Sequence, residues 1–229
     1  DLHLSLRRQR QMCIRDRSDV VVWHILNSSD PSSQPRTLRY PKAGTNNPYV
    51  GLSIYALDGD VVPIDWTQKN FWEYLVNVQW TEESEIYLTV QNRNQTSMGI
   101  LRVDSVTGDV EEIYRWTDEY WVEIISGAPK VIGEHIVTVE DRGEARALVV
   151  DNVQISSSDI QIRSLIHCDN KGVVTAVSEN PLEQHIMHFD LDGKATQLSK
   201  GAGVHDAVSN GSLTVIPVSY THLTLPTKA

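Results

Sequence analysis

Residues 76–90 read VNVQWTEESEIYLTV. Val76, Val78 and Trp80 alternate with Asn77 and Gln79, a period of two that sends one face of an extended chain to a core and the other to water. Thr81 to Ser84 is a polar break of turn length, after which Ile86-Tyr87-Leu88-Thr89-Val90 resumes a run rich in β-branched and aromatic residues. Further out, a polar loop at Asn92 to Ser97 leads to Gly99-Ile100-Leu101-Arg102-Val103, the turn Val106-Thr107-Gly108-Asp109 and a fourth run from Val110 to Trp116. Four runs joined by short polar breaks predict a four-stranded antiparallel meander.

The same order recurs along the chain. Strand cores at Ile86 to Val90, Ile136 to Val139, Val173 to Val177 and Leu213 to Ile216 follow one another at a spacing of roughly 40 to 50 residues. Polar loops succeed two of them, Glu140 to Glu144 and Ser178 to Glu183, and hairpin breaks follow at Asp151-Asn152 and Asp190-Leu191-Asp192-Gly193. Glycine suits such turns because positive φ costs it nothing. No amphipathic helical period is present. A β-sandwich would also contain many short strands, but it has no need to repeat strand, loop, strand and turn at a near-constant period. The expected fold is all-β, a partial β-propeller of three to four four-stranded antiparallel blades, each burying its faces against its neighbours.

The two ends differ from this pattern. Residues 1–18 hold Arg7, Arg8, Arg10, Arg15 and Arg17 with no apolar period, and residues 218–229 follow a strand-like run without turn logic. Both resemble translated sequencing-adapter sequence and are set aside, which leaves residues 19–217 as the expected domain. The whole chain carries a net charge of −10, and the part kept is more acidic still because the first end is arginine-rich. Acidic surfaces repel phosphate backbones, so no nucleic-acid partner is expected. No run approaches the roughly 20 apolar residues that a membrane helix needs. One cysteine, Cys168, remains in the kept part, so no internal disulfide can form there.

The segment YPKAGTNNPYV, Tyr40 to Val50, follows the strand-like Val22-Trp23-His24-Ile25-Leu26 and precedes the hairpin Leu57-Asp58-Gly59. It resembles the dipeptidyl peptidase IV family, where a Tyr-Pro-Lys-Ala-Gly-x-x-Asn-Pro segment leads into a propeller strand. Tyr74 to Trp80 before Ile86 to Arg93, and Trp121-Val122-Glu123 after Asp118-Glu119, extend the resemblance over about Asp19 to Ile125. The resemblance implies an eight-bladed propeller joined to an α/β-hydrolase domain. It also implies a homodimeric parent that cleaves Xaa-Pro or Xaa-Ala dipeptides from peptides with a free N-terminus; a stand-alone propeller that binds protein or glycan, and the propeller of a related oligopeptidase or acylaminoacyl peptidase, are the alternatives. The acidic pair that binds the substrate amino group in that family would precede Asp19. Cytoplasm, periplasm and secretion all remain open as the compartment.

Within this chain the resemblance points to Trp121 and Glu123 as substrate-binding residues, since the segment after them lies near the substrate cavity in relatives. Ile124-Ile125-Ser126 depart from the basic and aromatic side chains that some relatives carry there. Glu82-Glu83 and Glu111-Glu112 are read as solvated surface. The chain holds no Gly-x-Ser-x-Gly elbow, the strained turn that lifts a hydrolase serine toward its base, so no catalytic residue is expected. His185 and His188 fall on opposite faces of a strand, Cys168 and His167 point apart, and the Asp190 turn has no glutamate at the twelfth position of a calcium loop. Neither a metal nor a cofactor is expected. The rings of Trp66, Phe71, Trp72, Tyr74, Trp80, Trp116, Tyr120 and Trp121 are expected chiefly to fill the wedges between sheets.

Overall fold

The computed structural model describes residues 9–69, 71–81 and 84–219. All regular elements among them are strands. The chain forms two compact units, one running to Arg93 and including Gly99–Ile113, the other made of Asn94–Met98 and the residues from Tyr114 onward.

In the first unit, β1 (Gln9–Asp16), β4 (Tyr49–Ala56) and β5 (Val61–Ile64) make a three-stranded antiparallel sheet. Between β1 and β4 the chain leaves the sheet as a two-stranded ribbon, β2 (Val22–Ile25) and β3 (Arg36–Arg39). All four residues of β2 are exposed. The Tyr40 to Val50 segment returns from that ribbon and is tied down at several points. Trp23 Nε1 donates to the Tyr40 carbonyl at 3.1 Å, and the Lys42 ammonium sits 5.4 Å from the Trp23 ring centroid. Gly44, at φ +77°, lets the Thr45 N–H turn back to the Lys42 carbonyl at 3.0 Å. Arg93 Nη2 donates to the Thr45 carbonyl at 2.7 Å, and Asn47 Nδ2 donates to Glu73 Oε2 at 2.9 Å.

The decisive meander forms β6 (Tyr74–Trp80), β7 (Ile86–Gln91), β8 (Ser97–Val103) and β9 (Val110–Thr117), paired in that order. Every residue of β7 is buried, as an inner strand covered on both faces must be. Leu52, Ile54 and Ile64 of the first sheet share one apolar cluster with Ile86, Leu88, Val90, Leu101 and Val103. Trp66 and Trp72 fill it, at 2% and 0% exposure. Their indole nitrogens are satisfied by the Val50 carbonyl at 3.1 Å and Gln68 Oε1 at 3.2 Å, which allows rings this large to be buried without an orphan donor. Gly99 is required by the same ring: a Cβ there would lie 2.7 Å from Trp72 Cζ2.

The second unit repeats the meander twice. β10 (Lys130–Ile132), β11 (His135–Arg142), β12 (Ala145–Val150) and β13 (Val153–Gln154) form one sheet. β14 (Gln161–Asp169), β15 (Gly172–Ser178), β16 (His185–Phe189) and β17 (Ala195–Gln197) form the next. A single cluster joins them, with Val137, Val139, Leu148 and Val150 against Ile162, Leu165, Val173, Val177 and Phe189. In each sheet the spatial order equals the chain order. A sandwich would instead pass strands between its sheets by Greek-key connections. Consecutive meanders packed face on face are the construction of a partial β-propeller.

The final stretch is less regular. Residues expected as a fourth strand core, Leu213 to Ile216, contribute only the short β20 (Thr214–Val215), paired with β19 (Val208–Ser209), and Leu213 is exposed. β18 (Val204–His205) pairs with β21 (Val218–Ser219). Four-stranded sheets therefore number three among the described residues.

Candidate functional site

The loop between β9 and β10 carries both sequence-predicted site residues. Its start is built by Asp118, whose Oδ1 accepts from the Tyr120 and Trp121 N–H groups at 2.7 and 2.9 Å. Those two backbone donors hold the Asp118 carboxyl below the usual aspartate range. The Asp118 and Val122 N–H groups reach the Thr96 and Gln95 carbonyls at 3.0 and 2.8 Å. The far end is fixed by Leu165 N–H donating to the Ser126 carbonyl at 2.9 Å. Gly127, at φ +81°, permits that close approach, since a Cβ there would stand 2.0 Å from the Leu165 carbonyl oxygen.

Anchoring both ends forces alternate residues in opposite directions. Val122 and Ile125 are buried, whereas Tyr120, Trp121, Glu123 and Ile124 face outward. The aromatic residues thus divide: Trp66, Trp72 and Trp116 are core, while Tyr120 and Trp121 are 79% and 51% exposed. Beneath the outward face lies a small cleft of about 30 Å³, lined by Trp116, Trp121, Glu123, Glu140, Asp141 and Arg146 among others.

Arg146 of β12 stands between two carboxylates, 3.4 Å from Asp141 Oδ1 and 3.8 Å from Glu123 Oε2. Behind it, Glu140 is only 8% exposed. Its oxygens accept from Thr138 Oγ1 at 2.5 Å, Tyr114 OH at 2.8 Å and Arg142 Nη2 at 2.9 Å. Arg142 is held in turn by the Asn152 carbonyl and side chain at 3.0 and 2.7 Å. Burial, reinforced by its bond to Glu140, pushes the Tyr114 phenol up to about 12. Trp116, 9% exposed, has an Nε1–H with no acceptor among the described residues.

Sequence reasoning missed Trp116, Asp141 and Arg146 as lining residues. They lie on three different strands or their ends, and no local spacing relates them to Trp121. Of the acidic pairs, Glu111 binds Arg102 at 2.6 Å on an exposed strand face, and Glu82-Glu83 lies outside the described residues.

Other constellations are structural. Burial pushes the Cys168 thiol up to about 12, which opposes the thiolate a nucleophile requires. Ser199, His185 and Glu183 form a chain at 3.1 and 3.1 Å, but Ser199 is 4% exposed and its hydroxyl accepts the Ile186 N–H. It clips β16 to the segment after β17. The Asp190 turn is a hairpin, closed by Gly193 N–H to the Asp190 carbonyl at 3.0 Å. No group of three or more metal-ligating side chains is present among the described residues.

The sequence pattern of the dipeptidyl peptidase IV N-terminal region matches residues 14–227. The chain belongs to this family. Solved structures similar to it include Porphyromonas gingivalis dipeptidyl peptidase 4, with a TM-score of 0.73 and 18% identity over 88% of this chain. A second, described as a dipeptidyl aminopeptidase IV from Bacteroides ovatus, gives a TM-score of 0.72 and 15% identity over 91%. The chain spans 30% and 34% of the lengths of these two proteins. At such identities the agreement is one of fold, and it places the meanders described above in the propeller of the family.

Proposed function

We propose that this chain is propeller from a serine-type dipeptidyl peptidase whose complete form releases Xaa-Pro and Xaa-Ala dipeptides from free N-termini. Its role is architectural: it walls the approach to the nucleophile and orients the peptide, supplying positioning rather than bond cleavage. The observation that carries this reading is the family match over residues 14–227. The anchored loop supports it by turning Trp121 and Glu123 outward, where an extended substrate can meet them. The chemistry belongs to an α/β-hydrolase partner domain, and residues 19–217 are the domain proper in this reading.

The homodimeric state of the parent is supported by the β2–β3 ribbon. It exposes Ile25 and Leu26 at 51% and 69%, together with Trp23 and Tyr40. Exposed apolar side chains on the ribbon and beside it favour burial by a partner.

The test is to recover the continuous reading frame around this chain, produce the whole protein and assay release of p-nitroaniline from Gly-Pro and Ala-Ala anilides. Activity is expected from the whole protein and not from this chain alone. A whole protein that folds, carries no Gly-x-Ser-x-Gly elbow and releases nothing overturns the assignment.

A further inference from the structure

Asn210 and Gly211 stand in the turn between β19 and β20, and asparagine followed by glycine occurs once in the sequence. Asn210 is exposed. Its Oδ1 accepts from three donors at once: the Ser212 N–H at 3.1 Å, the Ser212 hydroxyl at 3.0 Å and the Leu213 N–H at 2.9 Å. Those bonds fold the amide over the main chain that follows it, as in an Asx turn. They also draw electrons from its carbonyl carbon, and they strengthen when the oxygen takes on negative charge, as in an oxyanion hole. The Gly211 nitrogen is the nucleophile within reach in sequence. Its N–H donates to Ser209 Oγ at 3.2 Å, and Ser209 Oγ lies 2.9 Å from Thr214 Oγ1, so the proton that must leave already faces a hydroxyl acceptor.

Glycine is obligatory at position 211. The residue has φ +86°, and a Cβ on it would stand 2.6 Å from Asp169 Oδ2 and 2.7 Å from His167 Nε2. The packing that demands glycine thus removes the side chain that shields the nitrogen elsewhere. Asn47 and Asn180, by contrast, precede prolines, which carry no N–H. Asn94, Asn152 and Asn170 precede Gln95, Val153 and Lys171, whose side chains hinder attack by the nitrogen.

We propose that Asn210 modifies itself without an enzyme. The Gly211 nitrogen forms a bond to Asn210 Cγ and gives up its proton through Ser209 to solvent base, and ammonia leaves as the Cγ–Nδ2 bond breaks. Water then opens the cyclic imide at either carbonyl, to give aspartate or isoaspartate at position 210. Aspartate keeps the turn, because a carboxylate oxygen takes the same three donors. Isoaspartate adds a methylene to the main chain of a hairpin paired at Ser209 and Thr214, and so distorts it.

The test incubates the full chain at low concentration in mildly alkaline buffer, beside a synthetic peptide of residues 206–216, and follows Asn210 in both by mass spectrometry. The folded chain is expected to convert about tenfold faster than the peptide, the scale of hydrogen bonds to a developing oxyanion that water partly screens. Asn94, Asn152 and Asn170 should remain amides over the same interval. S212A, which removes the hydroxyl donor and keeps both N–H groups, should slow the chain about threefold and leave the matching peptide unchanged. Melting followed by circular dichroism, beside the parent chain, checks that the variant is folded. A folded chain that converts no faster than the peptide overturns the proposal, whatever the variant does. One rate for the parent chain and a folded S212A also overturns it, since the donors on Oδ1 then play no part.

Discussion

Replacing Glu140 by alanine is expected to destabilise the second unit more than any change on its surface. The side chain is 8% exposed and accepts hydrogen bonds from three neighbours. Removing it leaves the Thr138 hydroxyl, on a residue only 1% exposed, without its carboxylate acceptor. Tyr114 OH keeps only the longer 3.4 Å contact to Asn152 Oδ1. Arg142 suffers least, because it is 30% exposed and retains both bonds to Asn152. A buried hydroxyl stripped of its partner costs about 1–3 kcal/mol. Breaking a fully buried ion pair costs about 3–5 kcal/mol, a figure to be lowered here because one partner reaches water. The total is about 2–4 kcal/mol, which in a unit of this size lowers the melting temperature by roughly 10–20 °C. Glu140→Gln keeps the acceptor oxygen and should lose less than half of that. The measurement is thermal unfolding followed by circular dichroism at low chain concentration, with both variants beside the parent chain. If Glu140→Ala melts within about 2 °C of the parent chain, a difference smaller than a single lost hydrogen bond, the network is not stabilising and the reasoning fails.

Tyr114 allows a pH test of the same network. Its folded phenol is raised to about 12, so the protonated form is the one that folding favours. Stability from this group is therefore complete below the ordinary tyrosine range near 10, and is lost as pH rises toward 12. Tyr114→Phe should flatten the alkaline fall in denaturation midpoint, and an unchanged fall would assign it to other groups. Trp72→Ala should cost the first unit about 3–5 kcal/mol, and Gly99→Ala about 1–3 kcal/mol by overpacking against the same ring; a neutral Gly99→Ala would mean the ring can move away. Gly127→Ala, which must find space 2.0 Å from the Leu165 carbonyl oxygen, should loosen the Trp121 loop, seen as faster amide exchange at Val122 and Leu165. The parent chain should associate in sedimentation velocity, and Ile25→Asp with Leu26→Asp should reduce that association. A monodisperse parent chain would count against an interface on the ribbon.

Strand positions were legible because an alternation of period two is a local consequence of one buried face, and the observed β6, β7, β11 and β15 lie where Val76, Ile86, Ile136 and Val173 place them. Turns were legible for a similar reason: Gly108 and Gly193 take positive φ within segments of a few residues. The Leu213 to Ile216 stretch has the same composition but does not form a full strand. An apolar run becomes an inner strand only when partners cover it, and Leu213 has no such cover.

The site divides along the same line. Trp121 and Glu123 were reached through the resemblance of their segment to a family, and Asp118 caps a turn only two and three positions ahead. Arg146 could not, nor could Trp116 or the Glu140 network, because their meeting depends on the register of β11 with β12 and on the packing of β9 beside them. Local sequence determined the strand period, the turn chemistry and the all-β class, since each follows from interactions within a few residues. Only the tertiary structure decided which carboxylates share one guanidinium, which hydroxyl is buried and which indole, among the described residues, has no acceptor, because burial and partnership are properties of side chains brought together from distant strands.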